Sequence, residues 1–366
     1  MRQVVDRRPG EAGMHEASEQ QASRTSLQQI LRNLPGTPFL KGVAVHTMRH
    51  LNLILLLVAF CFLFAMLKRI GWSNPALYLR QVGYYAPLIL APYGVSTLLV
   101  VLAWRMLLTG KESRPTLWRL CLLRLGGESL NQLTPTASLG GEPFKALRLQ
   151  ACGVPWPEAV ASLVIQKGLL VLSLVLYILI GIALVPFVLS GGHPGLGGLL
   201  LGVLVLGGLG AAFVVVQRSN PCSLLVRLMK RFGLAKALVM GREAELETLD
   251  ALLAGFYRAH PGRILATFGL FFLSWSAQSA EVFLIFTLMG HPLGWGSALC
   301  LDGLAMLFTG LGFMIPVSLG VQDGGNLLLA LGFRMGATLG VAFSIIRRVR
   351  EAVWLILGLV VVARER

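Results

Sequence analysis

Four charged residues stand together in an otherwise apolar stretch: Arg347, Arg348, Arg350 and Glu351. Twelve residues, 352–363, separate Glu351 from Arg364, and eleven largely apolar ones, 336–346, precede the cluster. At ~1.5 Å of rise per residue neither flank crosses a bilayer alone, so a helix through this stretch carries the cluster near mid-membrane. Leaving one such charge against lipid costs ~2.5–3.5 kcal/mol on insertion scales. A guanidinium at that depth therefore needs a partner, and its planar fork suits a carboxylate or a phosphate. Arg347, Arg350 and Glu351 share a helical face, which allows one ion pair and leaves two positive charges to be matched. Two readings fit. Glu281, Asp302, Asp323 and Glu142 could supply carboxylates to a buried network that only fixes packing, or the arginines could hold a phosphate or other anionic head group.

The remaining candidates are weaker in isolation. The turn Leu139-Gly140-Gly141-Glu142-Pro143 lacks the strand, Lys and Ser/Thr of a phosphate-binding P-loop; its glycines suit a sharp turn and close approach. Gln166 and Lys167 interrupt a long helix over 157–189, yet 169–189 alone is long enough to span. Lys167 can thus snorkel to an interface, or it can be buried and functional. His46 and His50 lie four apart but read as an interfacial turn. The five cysteines are dispersed without metal or redox spacing, so neither metal nor cofactor is expected. Gly198, Gly202, Gly207, Gly208 and Gly210 read as helix-packing positions.

The elements that must position these residues follow from composition. Hydrophobic residues make up 55% of the 366, charged residues 13%, and the mean hydropathy is +0.72. Apolar runs at 52–67, 86–103, 169–189, 196–216 and 264–289 have the length of membrane-crossing helices. A soluble catalytic domain is excluded. The formal charge of +15 carries no interleaved aromatic pattern, so no nucleic acid is expected. The architecture expected is an all-α integral membrane protein, with about six full transmembrane helices plus two re-entrant hairpins in inverted repeats. Residues 1–45 read as a flexible cytosolic tail and 46–366 as one polytopic domain. The connector 218–263 includes a helix at 242–258, and 71–84 reads as an interfacial stretch.

Lys/Arg distribution sets orientation. The tail through Arg49 holds seven, 105–150 seven and 218–263 eight, whereas 190–195 and 290–296 hold none. Both termini, 105–150 and 218–263 are therefore expected in the cytosol. Two segments also resemble each other. Ser138-Leu139-Gly140 follows Pro135 and precedes Glu142; Ser318-Leu319-Gly320, 180 residues on, follows Pro316 and precedes Asp323. Each leads into a long helix, through Val160-Ala161 and Val341-Ala342. The charge pattern makes the first unit (about 105–189) enter from the cytosol and the second (about 291–363) from outside. Interrupted hairpins in inverted repeats point to a substrate site at the midplane.

Asn131-Gln132-Leu133-Thr134-Pro135, followed by Gly140-Gly141-Glu142-Pro143-Phe144-Lys145, resembles the N-x-L-T-P…G-G-E…K/R signature of a flippase-like transmembrane family. That family includes the membrane region of lysylphosphatidylglycerol synthases and a branch associated with hopanoid biosynthesis. The stretch Pro316-x-Ser318-Leu319-Gly320 and the Arg-rich segment 344–351 are similar to its C-terminal part. Where many members carry a Glu-Arg pair, this chain has Gln166-Lys167. The resemblance implies translocation or handling of an anionic or amphiphilic lipid in the cytoplasmic (inner) membrane, hopanoid- or phosphatidylglycerol-related, and not aminoacylation. The expected site unites Asn131, Pro135, Ser138, Gly140, Gly141 and Glu142 with Lys167, Glu281, Pro316, Ser318, Gly320, Asp323, Arg347, Arg348, Arg350 and Glu351. Lys145 and Arg148 are expected to recruit head groups at the cytosolic face. The expected partners are lipids with anionic head groups, with a lipid-biosynthesis enzyme or a homo-oligomer as further candidates. The rivals are a non-catalytic accessory subunit of such an enzyme and an intramembrane lipid-modifying enzyme built on Glu142 and Asp323. No catalytic His/Asp/Cys constellation supports the latter, so the chain is not expected to be an enzyme.

Overall fold

The computed structural model describes residues 73–108, 115–134, 140–188, 208, 243–312, 315, 318 and 320–365. The N-terminal tail, the expected spans at 50–67 and 196–216, and Pro135, Ser138 and Pro316 lie outside the described residues.

Every regular element among the described residues is helical. Residues 71–84 were expected to lie as an interfacial stretch; from Ser73 they form helix α1 (Ser73–Val82) and the start of a 3-10 turn, Gly83–Ile89. Pro87 sits inside that turn and cannot donate to an α-helical ladder, so the regular helix α2 starts only at Leu90 and runs to Leu107. α3 (Leu117–Leu133) opens at Thr116, whose side chain accepts from the Arg119 N–H. α4 (Glu142–Ala151) places Glu142 at its positive N-terminal end. α5 (Trp156–Val188) is the longest element at 33 residues. The connector helix is α6 (Glu243–Ala259), one residue from the expected position. Then come α7 (Pro261–Leu288), α8 (Trp295–Leu311), α9 (Val321–Gly332) and α10 (Ala337–Arg364).

Three helical stretches among the described residues are long and apolar enough to cross a membrane: Arg80–Leu107, Trp156–Val188 and Pro261–Leu288. α10 matches α7 in length at 28 residues, with its charge cluster at the centre. Leu98, Leu265, Leu273, Leu311 and Ile356 are more than half exposed, as side chains meeting lipid would be.

Packing is reciprocal. α3 lies chiefly against α10, and α8 lies chiefly against α5, so each hairpin's first arm meets the long helix of the other unit. Both crossings are glycine contacts: a Cβ at Gly181 would come 3.3 Å from the Gly303 Cα, and one at Gly358 would run into Ser129 and the Leu125 carbonyl. The hydrophobic core falls into three clusters among the described residues. One joins Val101, Trp104 and Leu108 to Leu120, Leu149 and Leu163. A second joins Val100, Ala103 and Leu107 to Ile165, Leu169 and Phe271. The third joins Val82 and Ile89 to Phe286, Leu301, Leu339 and Phe343.

Candidate functional site

The α3–α4 turn is held by one asparagine. Asn131 accepts from the Gly141 N–H at 2.7 Å and donates to Glu142 Oε1 at 3.3 Å, so a single buried side chain fixes the entry to α4. No side chain fits at Gly141, because its Cβ would meet the Gly127 carbonyl. Glu142 also accepts from Lys145 Nζ at 2.8 Å and lies 3.8 Å from Lys167 Nζ on α5. Lys145 lies 3.6 Å from Glu128, which pairs one turn away with Arg124. Arg124, Lys145 and Lys167 thus meet Glu128 and Glu142 where three helices converge.

The arginines of α10 form an alternating chain. Asp323 takes two hydrogen bonds from Arg348, and Arg348 donates to Glu351 at 2.8 Å. Glu351 lies 3.7 Å from Arg350 and accepts from Gln322. Arg350 donates to Glu281 at 3.0 Å and stacks over Tyr93. Glu281 is 3.8 Å from Arg347, which donates through Nη2 to Asp302. Tyr177 closes the chain by donating to Asp302 at 2.9 Å while sharing a 3.0 Å contact with Ser279. Seven charges therefore run acid, base, acid, base, acid, base, acid across four helices. Asp323 reaches this position because Gly320, at φ +79, turns the chain so that its N–H donates to the Asp323 carboxylate and opens α9.

The two clusters face one cavity of about 580 Å³. Glu128, Lys167, Arg347, Arg350 and Glu351 give it a charged wall; Leu170, Val171, Leu174 and Met306 give it an apolar one. Although Arg347 is 1% exposed, its Nε and Nη1 make no hydrogen bond among the described residues, nor does Glu281 Oε2. Unpaired donors on a buried guanidinium are unfavourable unless something else takes them up. Among the described residues no group of three or more His, Cys, Asp or Glu side chains is placed to hold a metal ion.

Of the residues singled out in the sequence, Asn131, Lys167, Ser318, Arg347, Arg350 and Glu351 line this cavity. Glu142 and Glu281 stand behind it as partners of its bases Lys167 and Arg350, whereas Arg348, which holds Asp323, is not among the lining residues. Gly140 and Gly141 form the turn before α4. One expectation is corrected. Lys145 is 2% exposed and bonded between acids, so it does not present its head at a membrane face. Arg148 is partly exposed but lies 3.6 Å from Glu365 and over the Phe144 ring. The positive charges that α10 leaves over are matched, as one of the two readings expected, by Glu281, Asp302 and Asp323, while Glu142 pairs with Lys145 and Lys167 instead. Missed altogether were Glu128, Tyr93, Tyr177, Ser279 and Gln322. Glu128 had a signal, since it lies four residues after Arg124 on one helical face. The two tyrosines lay in apolar runs and carried none.

Among family models, that of the lysylphosphatidylglycerol synthase TM region matches residues 52–358. No curated protein and no solved structure matches the chain. The match covers α1 to α9 and most of α10, so every residue lining the cavity falls within it. This all-helical membrane protein belongs to the family of the lysylphosphatidylglycerol synthase transmembrane region.

Proposed function

We propose that the protein binds an amphiphilic membrane lipid in the cavity between its two hairpin units and moves it between leaflets. The observation that carries this reading is the cavity's division into a charged and an apolar wall, with Nε and Nη1 of Arg347 making no hydrogen bond among the described residues. A phosphate-bearing head group would occupy the charged wall, and the start of its acyl chains the wall of Leu170, Leu174 and Met306. At about 580 Å³ the space suits a head group with its glycerol, within the ~300–1,000 Å³ usual for ligand sites. A role in membrane-lipid chemistry follows from the family; the choice of translocation rests on this geometry.

The architecture proposed has about six spans, counting 50–67 and 196–216, with α3–α4 and α8–α9 as re-entrant hairpins entering from opposite faces. The reciprocal contacts of α3 with α10 and α8 with α5 support it. Alternating access would then tilt one unit against the other about the glycine crossings. We place the chain in the inner membrane with both termini cytosolic, from the distribution of Lys and Arg. The second reading, an accessory subunit whose ion pairs only fix packing, is favoured by the fact that all three arginines have carboxylate partners.

Photo-crosslinking separates the two. A phosphatidylglycerol carrying a diazirine near its head group should label α5 and α8 around Leu174 and Met306. Labelling confined to the outer surface of the bundle would leave the accessory reading standing.

A further inference from the structure

The charges around the cavity balance. Arg124, Lys145, Lys167, Arg347, Arg348 and Arg350 face Glu128, Glu142, Glu281, Asp302, Asp323 and Glu351, six bases against six acids. An anionic head group arriving at this wall therefore brings a negative charge that nothing among the described residues offsets. Within the α10 chain itself acids already outnumber bases, four to three. Arg347 meets two carboxylates, Asp302 through Nη2 and Glu281 through Nε at 3.8 Å, and a phosphate on its Nη1, which makes no hydrogen bond among the described residues, would be a third anion on one guanidinium. Burying such an uncompensated charge is unfavourable by several kcal/mol, and buried groups escape the penalty by changing protonation state.

Resting on the reading of this cavity as a head-group site, we infer that binding an anionic head group is coupled to uptake of one proton, held by Glu281. Three observations choose this carboxyl. Glu281 is fully buried, and its Oε2 has no hydrogen-bond partner among the described residues, so one oxygen is open to a proton. Its Oε1 keeps the 3.0 Å bond from Arg350 in either state, since a protonated carboxyl still accepts there. Its weaker contact, 3.8 Å to Arg347, is the one protonation releases, and Arg347 is the base the ligand needs.

The other acids of the α10 chain are held more firmly. Asp302 takes bonds from Arg347 and Tyr177, Asp323 takes a two-point fork plus the Gly320 N–H, and Glu351 takes bonds from Arg348 and Gln322. The groups facing Glu281 are Arg347, Arg350 and Glu351 from α10, and Asp302 from α8. Behind them, Tyr177 of α5 reaches it through Asp302, and Tyr93 of α2 through Arg350. The proton comes from water and returns to it when the lipid leaves, so a pH gradient across the membrane would drive the lipid with it. Since binding is reciprocal, a ligand that raises the proton affinity of Glu281 must itself bind more tightly as pH falls.

The test uses purified full-length protein in detergent, titrated with short-chain phosphatidylglycerol in weakly buffered solution containing a pH indicator. The expected result is uptake of close to one proton per bound lipid, with affinity weakening by about tenfold per pH unit once Glu281 is ionised in the free protein. E281Q, which mimics the protonated acid, should take up none and lose the pH dependence. The wild-type slope alone decides the matter if E281Q does not fold. Binding without uptake and with a flat pH profile overturns the coupling but leaves the head-group site intact. Uptake that survives in E281Q and vanishes in D302N overturns the assignment to Glu281. Absence of binding at every pH overturns the head-group reading and this inference with it.

Discussion

Arg348 grips Asp323 across 25 residues of chain with two parallel hydrogen bonds, Nε to Oδ1 at 2.9 Å and Nη2 to Oδ2 at 2.8 Å. This fork ties α9 to the middle of α10 and uses geometry only arginine has. R348K keeps the charge and loses one of the two bonds. It should lower stability by about 1–3 kcal/mol, read from unfolding in detergent by denaturant. D323N should cost a similar amount, and the double variant less than the sum. Wild-type stability in R348K would show that the fork does not hold α9.

The bond between Arg350 and Glu281 supports a different expectation. R350M leaves a fully buried carboxylate with only Arg347, 3.8 Å away, and should cost about 3–5 kcal/mol. R350M/E281L removes the stranded charge and should recover much of that loss. A double variant no more stable than the worse single one would mean that the two charges do not form a pair.

Helix crossings give a steric prediction. A methyl at Gly358 has nowhere to go against Ser129 and the Leu125 carbonyl, so G358A should cost about 1–3 kcal/mol and loosen α3 from α10. Gly255, inside α6, has nothing within 4 Å of its added Cβ, so G255A should gain up to about 1 kcal/mol. If both changes were neutral, close backbone approach would not matter to this fold.

The inverted arrangement is tested by labelling single cysteines with an impermeant reagent. Cysteines placed between Pro135 and Glu142 should react from the cytosolic side, and those between Pro316 and Asp323 from the opposite side. Reaction of both turns from one side would remove the two-fold relation.

Much of this arrangement could be read from the chain because membranes make composition speak plainly. The run 157–189 could only be a helix, and it is Trp156–Val188; the run 264–289 matches Pro261–Leu288 to within three residues at either end. Four charges in the middle of one apolar helix announced a site at Arg347–Glu351. Acids able to partner them could be named, but not the pairing. Glu281 and Asp302 sit in different helices, and which carboxylate meets which arginine is decided by helix rotation and crossing, which periodicity does not encode. Lys145 looked like a head-group recruiter because it follows a basic segment. Its burial depends on Glu128 approaching from the preceding helix. Tyr177, inside an apolar run, shows its role only once Asp302 lies 2.9 Å from its hydroxyl.

Leaflet exchange measures the central claim most directly. The purified protein is reconstituted into liposomes of phosphatidylcholine and phosphatidylglycerol carrying a trace of fluorescent lipid, and outer-leaflet fluorescence is quenched chemically. Wild-type protein should expose inner-leaflet label to quenching faster than protein-free liposomes do. L174W, which fills the apolar wall, should abolish the difference while folding normally. R347K should slow exchange by about tenfold, equivalent to about 1.4 kcal/mol lost at the fork. Exchange equal to that of protein-free liposomes, for every head group tried and with the protein folded and inserted, would contradict the account.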